Sequence, residues 1–77
     1  MEVKSFHSPY NKLKGALREH ELTYLDVAKT LGISETAVGF KINGKSDFYI
    51  SEVEILIKKY GFELEIFLNN ELRIQQQ

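Results

Sequence analysis

The chain has 77 residues, 27% of them charged, and a net charge of −1, so it suits one small domain and lacks the strongly basic composition of many nucleic-acid binders. It has no cysteine, which excludes disulfides and thiolate zinc sites. No apolar run reaches the roughly 18 residues that a membrane span needs, and the first ten residues lack the apolar centre of a signal peptide. We therefore expect a cytoplasmic protein with no membrane association.

The charges are unevenly distributed along the chain. Residues 1–46 hold seven Lys and Arg against five acids, whereas residues 47–77 hold three against six. A surface that faces phosphate is therefore expected in the first half. The two histidines, His7 and His20, do not fall in a metal-ligand spacing, and we interpret both as solvated surface residues. Neither a metal nor another cofactor is predicted.

The first predicted helix covers about residues 9–20. Ser8 is a suitable N-cap, and Pro9 fits the first helical position because its missing N–H has no intrahelical acceptor there. Leu13, Ala16 and Leu17 then follow at helical spacing. Residues 1–7 show no period and are predicted to be a frayed arm.

The second predicted helix covers about residues 24–31. Thr23 and Asp26 have the spacing of a capping box, and Gly32 is a natural left-handed C-cap. Ser34 is then a good N-cap for a third helix, which Asn43-Gly44 ends.

The fourth predicted helix starts at a capping box formed by Ser51 and Glu54, and Gly61 ends it. The segment 62–74 fits two structures. Alternating apolar residues favour a strand or hairpin, whereas Leu64, Phe67 and Leu68 share one side of a short fifth helix. The sequence predicts a compact all-α fold of four to five helices, with a slight preference for a helix in that segment.

Three residues carry the most specific spacing in the chain. Ala28 is small enough for a close helix–helix contact, Gly32 makes the turn, and Val38 packs the next helix back onto the first. A helix-turn-helix needs these residue types at these offsets, and the outer face of its second helix fits the major groove of DNA.

The stretch TYLDVAKTLGISETAVGFKINGKSDF resembles the two central helices and following loop of the phage repressor and Cro-like group, the XRE family of transcriptional regulators. Asn43-Gly44-Lys45 resembles the exit of that family's third helix, and IKKYGFELEIFL resembles its fourth helix and the start of its fifth. The resemblance covers about residues 10–68. It implies a lambda-repressor-like DNA-binding domain over 8–68, with residues 1–7 and 69–77 as flexible or dimer-contacting tails.

The resemblance also implies which residues contact DNA. The start of helix 2 would touch backbone phosphates, and the first turn of helix 3 would approach base edges and phosphates. One turn further the same face continues, a lysine flanks it, and the helix exit reaches phosphate. The residues at the start of helix 2 are Thr23 and Tyr24, and those in the first turn of helix 3 are Ser34, Glu35 and Thr36. Gly39 and Phe40 continue the face, and Lys41 flanks it. The residues at the helix exit are Asn43 and Lys45. Thr23 and Ser34 equally fit a role as caps alone, and Glu35 equally fits a favourable contact with the helix dipole.

Two positions depart from the family pattern. Many relatives have Arg, Lys or Gln where this chain has Phe40, and many pair an Arg of helix 1 with a late Glu of helix 3, where this chain has Ile42. Phe40 lies one turn beyond Thr36, where a side chain in the major groove meets a thymine methyl. The alternative is that Phe40 folds back onto Phe48 or helix 4.

The leading functional hypothesis is a sequence-specific double-stranded DNA-binding transcriptional regulator that acts as a dimer on a palindromic operator in a bacterial host. The alternative is an antitoxin or antirepressor of the same fold that binds a protein partner through the apolar, Glu-rich segment 62–74. An enzyme is not expected, because the chain has no paired-carboxylate cleft, no Gly-rich phosphate loop and no nucleophile with a base.

Overall fold

The computed structural model of the chain describes residues 7–68, and these form four α-helices and one short 3-10 helix with no strand among them. In chain order they are α1 (Asn11–Glu19), α2 (Tyr24–Leu31), α3 (Glu35–Asn43), α4 (Ile50–Tyr60) and the 3-10 helix (Leu64–Phe67). The all-α prediction is confirmed, and the described part of the ambiguous segment is helical. Its remainder, 69–74, and most of the predicted tails lie outside the described residues. Among residues 7–68, every helix is too short or too polar to cross a membrane.

The boundaries of α2 and α3 follow local sequence signals. Thr23 caps α2: its Oγ1 accepts from the Asp26 N–H at 3.1 Å, while the Asp26 carboxylate accepts from the Thr23 N–H at 2.8 Å. Gly32 ends that helix at φ 74°, in the left-handed region that glycine adopts without steric cost. Ser34 caps α3 by accepting the Ala37 N–H at 3.0 Å. These predicted caps are confirmed.

The predicted start of α1 is wrong by two residues. The helix begins at Asn11, after Tyr10 in a non-helical conformation, rather than at Pro9. The Tyr10 N–H donates to the carbonyl of Ile42 at 3.0 Å. This bond to the end of α3 holds the preceding chain outside the helix.

The predicted cap of α4 is also wrong. The helix begins at Ile50, and the residue that receives the orphan N–H of Tyr49 is Glu52, whose Oε1 accepts it at 2.9 Å. Ser51 and Glu54 are exposed and do not form the predicted box. The same Glu52 oxygen also pairs with a lysine of α3, as described below.

The core lies where α2 packs on α3 and α4, and where α1 packs on the 3-10 helix. Its buried residues are Tyr10, Leu13, Leu17, Val27, Ala28, Val38, Ile42, Leu56, Phe62 and Phe67. Aromatic rings close one end: Phe67 contacts Tyr10, Phe48 and Phe62 with ring centroids 5.9–6.5 Å apart. Each of the four α-helices contributes to one continuous core.

His7 corrects two predictions. The residue is 5% exposed and its ring stacks on Tyr10, so it is neither a solvated residue nor part of a frayed arm. Its ring nitrogens lie 2.6 Å from the carbonyl of Ser8 and 2.8 Å from the carbonyl of Ser46. His7 therefore fastens the chain before α1 to the loop after α3. His20 is exposed, as predicted, with its ring edge-on to Phe62.

Candidate nucleic-acid interface

Helices α2 and α3 meet at a three-residue corner made of residues 32–34. The N–H groups of Gly32 and Ile33 both donate to the carbonyl of Ala28, at 2.8 and 3.1 Å, which closes the end of α2. Ala28 and Val38 are buried in the same core, at the positions where the sequence predicted a close contact and an apolar anchor. The corner therefore holds α3 with one face on the core and the other in solvent.

The solvent face of α3 carries most of the predicted contact residues. Ser34, Glu35, Thr36, Phe40, Asn43 and Lys45 are exposed, and Gly39 is half-buried. Thr36, Phe40 and Asn43 are spaced by four and three residues, so they lie along one side of the helix. The side formed by Thr36, Phe40 and Asn43 is polar or aromatic and carries no charge.

Phe40 does not fold back onto Phe48 or α4. Its side chain is 46% exposed, and the Lys45 ammonium lies over its ring at 5.4 Å from the centroid. A phenylalanine in this position exposes apolar surface to water and does not contribute to the core. The internal-packing alternative is therefore removed, and the ring is available to a ligand.

Gly39 lies beside the ring of Tyr24. A Cβ built at position 39 would lie 3.8 Å from two carbons of that ring, which is ordinary van der Waals contact. The fold therefore does not require glycine at this place. Because glycine has no side chain, the surface between α2 and α3 is recessed at this residue, and a flat or convex ligand can approach the backbone there.

Lys41 was predicted to flank the exposed face, and its position corrects that prediction. Its ammonium lies 3.2 Å from Oε1 of Glu52, and both side chains are only 11% exposed. It also donates to the carbonyl of Asp47 at 3.1 Å and lies over the ring of Tyr49. The charge of Lys41 is thus paired inside the protein, because α4 brings a buried carboxylate to it.

Several predicted polar contacts already have intramolecular hydrogen bonds. The Thr23 hydroxyl donates to Asp26 at 3.0 Å, and the Asn43 amide donates to the carbonyl of Gly39 at 3.0 Å. The Ser34 oxygen accepts within its own helix, so its O–H remains available. The Thr36 hydroxyl makes no hydrogen bond within the described residues. Ser34 and Thr36 are therefore the best-placed hydroxyl donors on α3.

The capping box also fixes a negative charge at the start of α2. The backbone and side-chain hydrogen bonds from Thr23, aided by Lys29, hold the pKa of Asp26 below its ordinary value of 3.8. The carboxylate is therefore ionised at neutral pH. It is engaged by the cap rather than available to an incoming ligand.

A pocket beside this interface was not predicted from the sequence. Lys14, Leu17, Arg18, Leu22 and Tyr24 line a cavity of about 270 Å³ between α1 and the start of α2. Lys14 and Arg18 are one helical turn apart and share a face of α1. That spacing was visible in the sequence, but their proximity to Tyr24 depends on how α1 packs against α2.

A second cavity lies on another part of the molecule and is strongly apolar. It has a volume of about 460 Å³, and none of its lining residues belongs to α2 or α3. Ile50, Leu64 and Leu68 line it and are more than half exposed. We call it the α4 groove. The structure thus separates a polar face on α2 and α3 from an apolar groove on α4 and the 3-10 helix.

Comparison of the chain with protein-family models, with curated proteins and with solved structures finds no match. Within residues 7–68, no three His, Asp or Glu side chains are grouped closely enough to hold a metal ion.

Proposed function

We propose that the protein is a sequence-specific double-stranded DNA-binding regulator of the phage repressor and Cro-like type, with α3 in the major groove. The observation that carries the proposal is the exposed face of Thr36, Phe40 and Asn43 on a helix held by a glycine corner. A helix with one free side is about the right width for the major groove, where Thr36 and Phe40 reach base edges and Asn43 lies at the helix exit.

Each exposed residue has a distinct role in the proposed complex. Thr36 donates or accepts at a base edge, and Phe40 contacts a thymine methyl, which distinguishes thymine from the other bases. Glu35 accepts from the amino group of a cytosine. Asn43, Lys45 and the start of α2 lie at the two sides of this face and contact phosphate, which sets position rather than sequence. Lys41 is not part of this set, because its charge is paired with Glu52.

The proposed regulator acts as a dimer. With Lys41 paired internally, Lys45 is the one cation on the described face of α3 and its exit, so one copy neutralises few phosphates. Electrostatic contacts supply most of the affinity for DNA, so two copies are needed for tight binding. In a symmetric dimer the two α3 helices read half-sites about one helical turn, roughly 34 Å, apart.

The test is selection of bound sequences from random duplex DNA, followed by a salt titration on the selected site. We expect an inverted repeat whose affinity falls steeply with salt, because released counterions accompany each phosphate contact. Replacing Thr36 with Ala should relax the preference at one base position, while Lys45→Gln should weaken selected and random duplexes equally. Recovery of no enriched sequence, or binding that salt does not change, would contradict the proposal.

The α4 groove favours a second candidate function, a protein-interaction module of the antitoxin or antirepressor type. Ile50, Leu64 and Leu68 are more than half exposed and line one groove, and such contiguous apolar surfaces are characteristic of sites that another protein covers. This function predicts a stoichiometric protein complex that Leu64→Lys disrupts, with no retardation of DNA at low salt. Retention of DNA binding in Leu64→Lys, without a protein partner, would favour the regulator alone.

A further inference from the structure

The α4 groove is a continuous apolar channel between two helices. Ile50, Val53 and Ile57 follow one another on α4 at spacings of three and four residues and line one side of it. Leu64 and Leu68, from the 3-10 helix and its end, line the other side. Seven residues of α4 rise roughly 10 Å, so the channel is about two helical turns long. A contiguous apolar surface of this kind is typical of a protein-interaction site.

The charged side chains in and beside the groove are acids. Asp47 and Glu54 line it, and two exposed acids, Glu63 and Glu65, flank Leu64 in the sequence. Asp47 is held by hydrogen bonds within the protein. Glu54, Glu63 and Glu65 form no ion pair within residues 7–68. The carboxylates around the channel are therefore available to positive charge on an occupant.

A second copy of the chain is a poor match for this groove. In a two-fold symmetric pair, the same patch lies on both sides of the interface. The acids of one copy would then meet the acids of the other, and no Lys or Arg of the described residues lines the groove to offset them. Lys58 and Lys59, the cations of α4, lie in its last turn and outside the lining. The complementary occupant is therefore a different chain that carries basic residues.

The groove also favours one backbone conformation in its occupant. No strand is present among residues 7–68, so an extended segment finds no sheet edge to join in this part of the chain. The polar lining groups are Asp47, Glu54 and the Tyr10 hydroxyl, which already donates to Asp47 at 2.6 Å. An occupant must therefore satisfy most of its own backbone hydrogen bonds. A helix does so, and it presents apolar side chains at spacings of three and four residues.

We propose that the α4 groove binds an amphipathic helix of a partner protein, whose apolar stripe is flanked by Lys or Arg. The stripe fills the channel beside Ile57 and Leu64, and the basic side chains pair with Glu54 and with the acids next to Leu64. Buried apolar area supplies the affinity, while the partly exposed charge pairs select the partner and speed its association. This assignment rests on the second candidate function, to which it adds the chemistry of the partner, and it does not depend on DNA binding.

The test uses two synthetic helical peptides, each about four turns long, with the same leucine stripe and with either lysine or glutamate beside it. Their binding to the full chain is measured by fluorescence anisotropy in the absence of DNA. We expect saturable binding of the lysine peptide and at least about tenfold weaker binding of the glutamate peptide, because several charge pairs change sign together. Added salt should reduce this difference.

Variants of the protein locate the binding site. Leu64→Gln should weaken the lysine peptide by about tenfold or more, because a buried leucine contact is lost. Glu54→Gln should weaken it by about twofold to fivefold and reduce its dependence on salt. Glu19→Gln is the matched control, since it removes one exposed acid at the far end of α1 and should leave the affinity unchanged. All three side chains are exposed, so urea unfolding should stay close to wild type.

Three results would overturn this assignment. Equal affinity for the two peptides would remove the basic partner and leave only the apolar groove of the second candidate function. A dimer that Leu64→Gln dissociates in sedimentation would give the groove to a second copy. Binding of neither peptide would show that the groove does not take an amphipathic helix. The second candidate function fails separately, when Leu64→Lys leaves a stoichiometric protein complex intact.

Discussion

The ammonium of Lys41 lies 3.2 Å from the carboxylate of Glu52, and this pair joins the last turn of α3 to the first turn of α4. The same Glu52 oxygen accepts the N–H of Tyr49, and Lys41 donates to the carbonyl of Asp47. Two charged side chains thus hold Asp47 and Tyr49, in the second half of the loop between the helices. The orientation of α3, and with it the exposed face, depends on this small buried network.

Lys41→Met should destabilise the protein by about 3 kcal/mol, because it leaves the Glu52 carboxylate without its partner in a poorly hydrated position. For a domain of this size that is a large part of the total stability. Lys41→Met/Glu52→Gln should recover much of the loss, since it removes the uncompensated charge and keeps an acceptor for the Tyr49 N–H. Urea unfolding of the wild type, both single variants and the double variant measures this. Equal destabilisation by Lys41→Met and by the double variant would contradict the argument.

Phe40→Ala should change the free energy of unfolding by less than about 0.5 kcal/mol, because the ring is outside the core. It should weaken the selected DNA site more than random duplex, because the phenyl ring touches a base in the proposed complex. The matched control is a selected site with uracil in place of thymine, on which wild type and Phe40→Ala should bind alike. Equal losses of affinity on selected and random DNA would eliminate the thymine contact.

Gly39→Ala should raise stability and lower DNA affinity together. The new methyl would lie in ordinary contact with Tyr24, and alanine inside a helix is favoured over glycine by about 0.5–1 kcal/mol. In the proposed complex, the same methyl would lie where the DNA backbone approaches α3. Gly15→Ala on α1 is the control: nothing lies within 4 Å of its Cβ, so thermal melting should rise without a change in DNA binding. Unchanged affinity in Gly39→Ala would show that the DNA does not approach there.

The capping box predicts a pH dependence at the acidic end. The pKa of Asp26 is lowered in the folded protein, chiefly by the backbone and side-chain hydrogen bonds from Thr23. The unfolded chain therefore takes up the proton first, so the contribution of this carboxylate is complete above about pH 3.8 and is lost as the pH falls through the folded pKa. Urea unfolding between pH 2 and pH 6 should show a shallower acid-side loss of stability in Asp26→Asn. Superimposable profiles would contradict this contribution.

Local signals were sufficient to predict much of the fold. Thr23 and Ser34 cap helices through atoms three residues away, and Gly32 and Gly61 end helices at positive φ, so their roles depend on short stretches of chain. The exposure of Thr36 and Asn43 follows from the same helix boundaries, once Val38 and Ile42 are assigned to the core. These predictions needed no knowledge of how distant elements meet.

Most of the predictions that are wrong depend on distant contacts. Lys41 turns inward because α4 offers Glu52. Ser51 does not form the cap because the same Glu52 accepts the N–H of Tyr49, three residues before it, while it is also held by Lys41. Pro9 lies outside α1 because Tyr10 bonds to Ile42, and His7 is buried because Ser46 offers it a carbonyl. Sequence spacing within one helix does not reveal partners that are 11 to 39 residues away.

The bond from His7 to Ser46 has a kinetic consequence, because it spans 39 residues. The corner of α2 and α3 closes over only a few residues and can form early in folding, whereas a contact of such long range costs more chain entropy and forms late. His7→Ala should therefore accelerate unfolding and leave the refolding rate nearly unchanged. Stopped-flow chevron plots measure both rates. The segment before α1 is therefore the last to join the loop after α3 and the first to leave it.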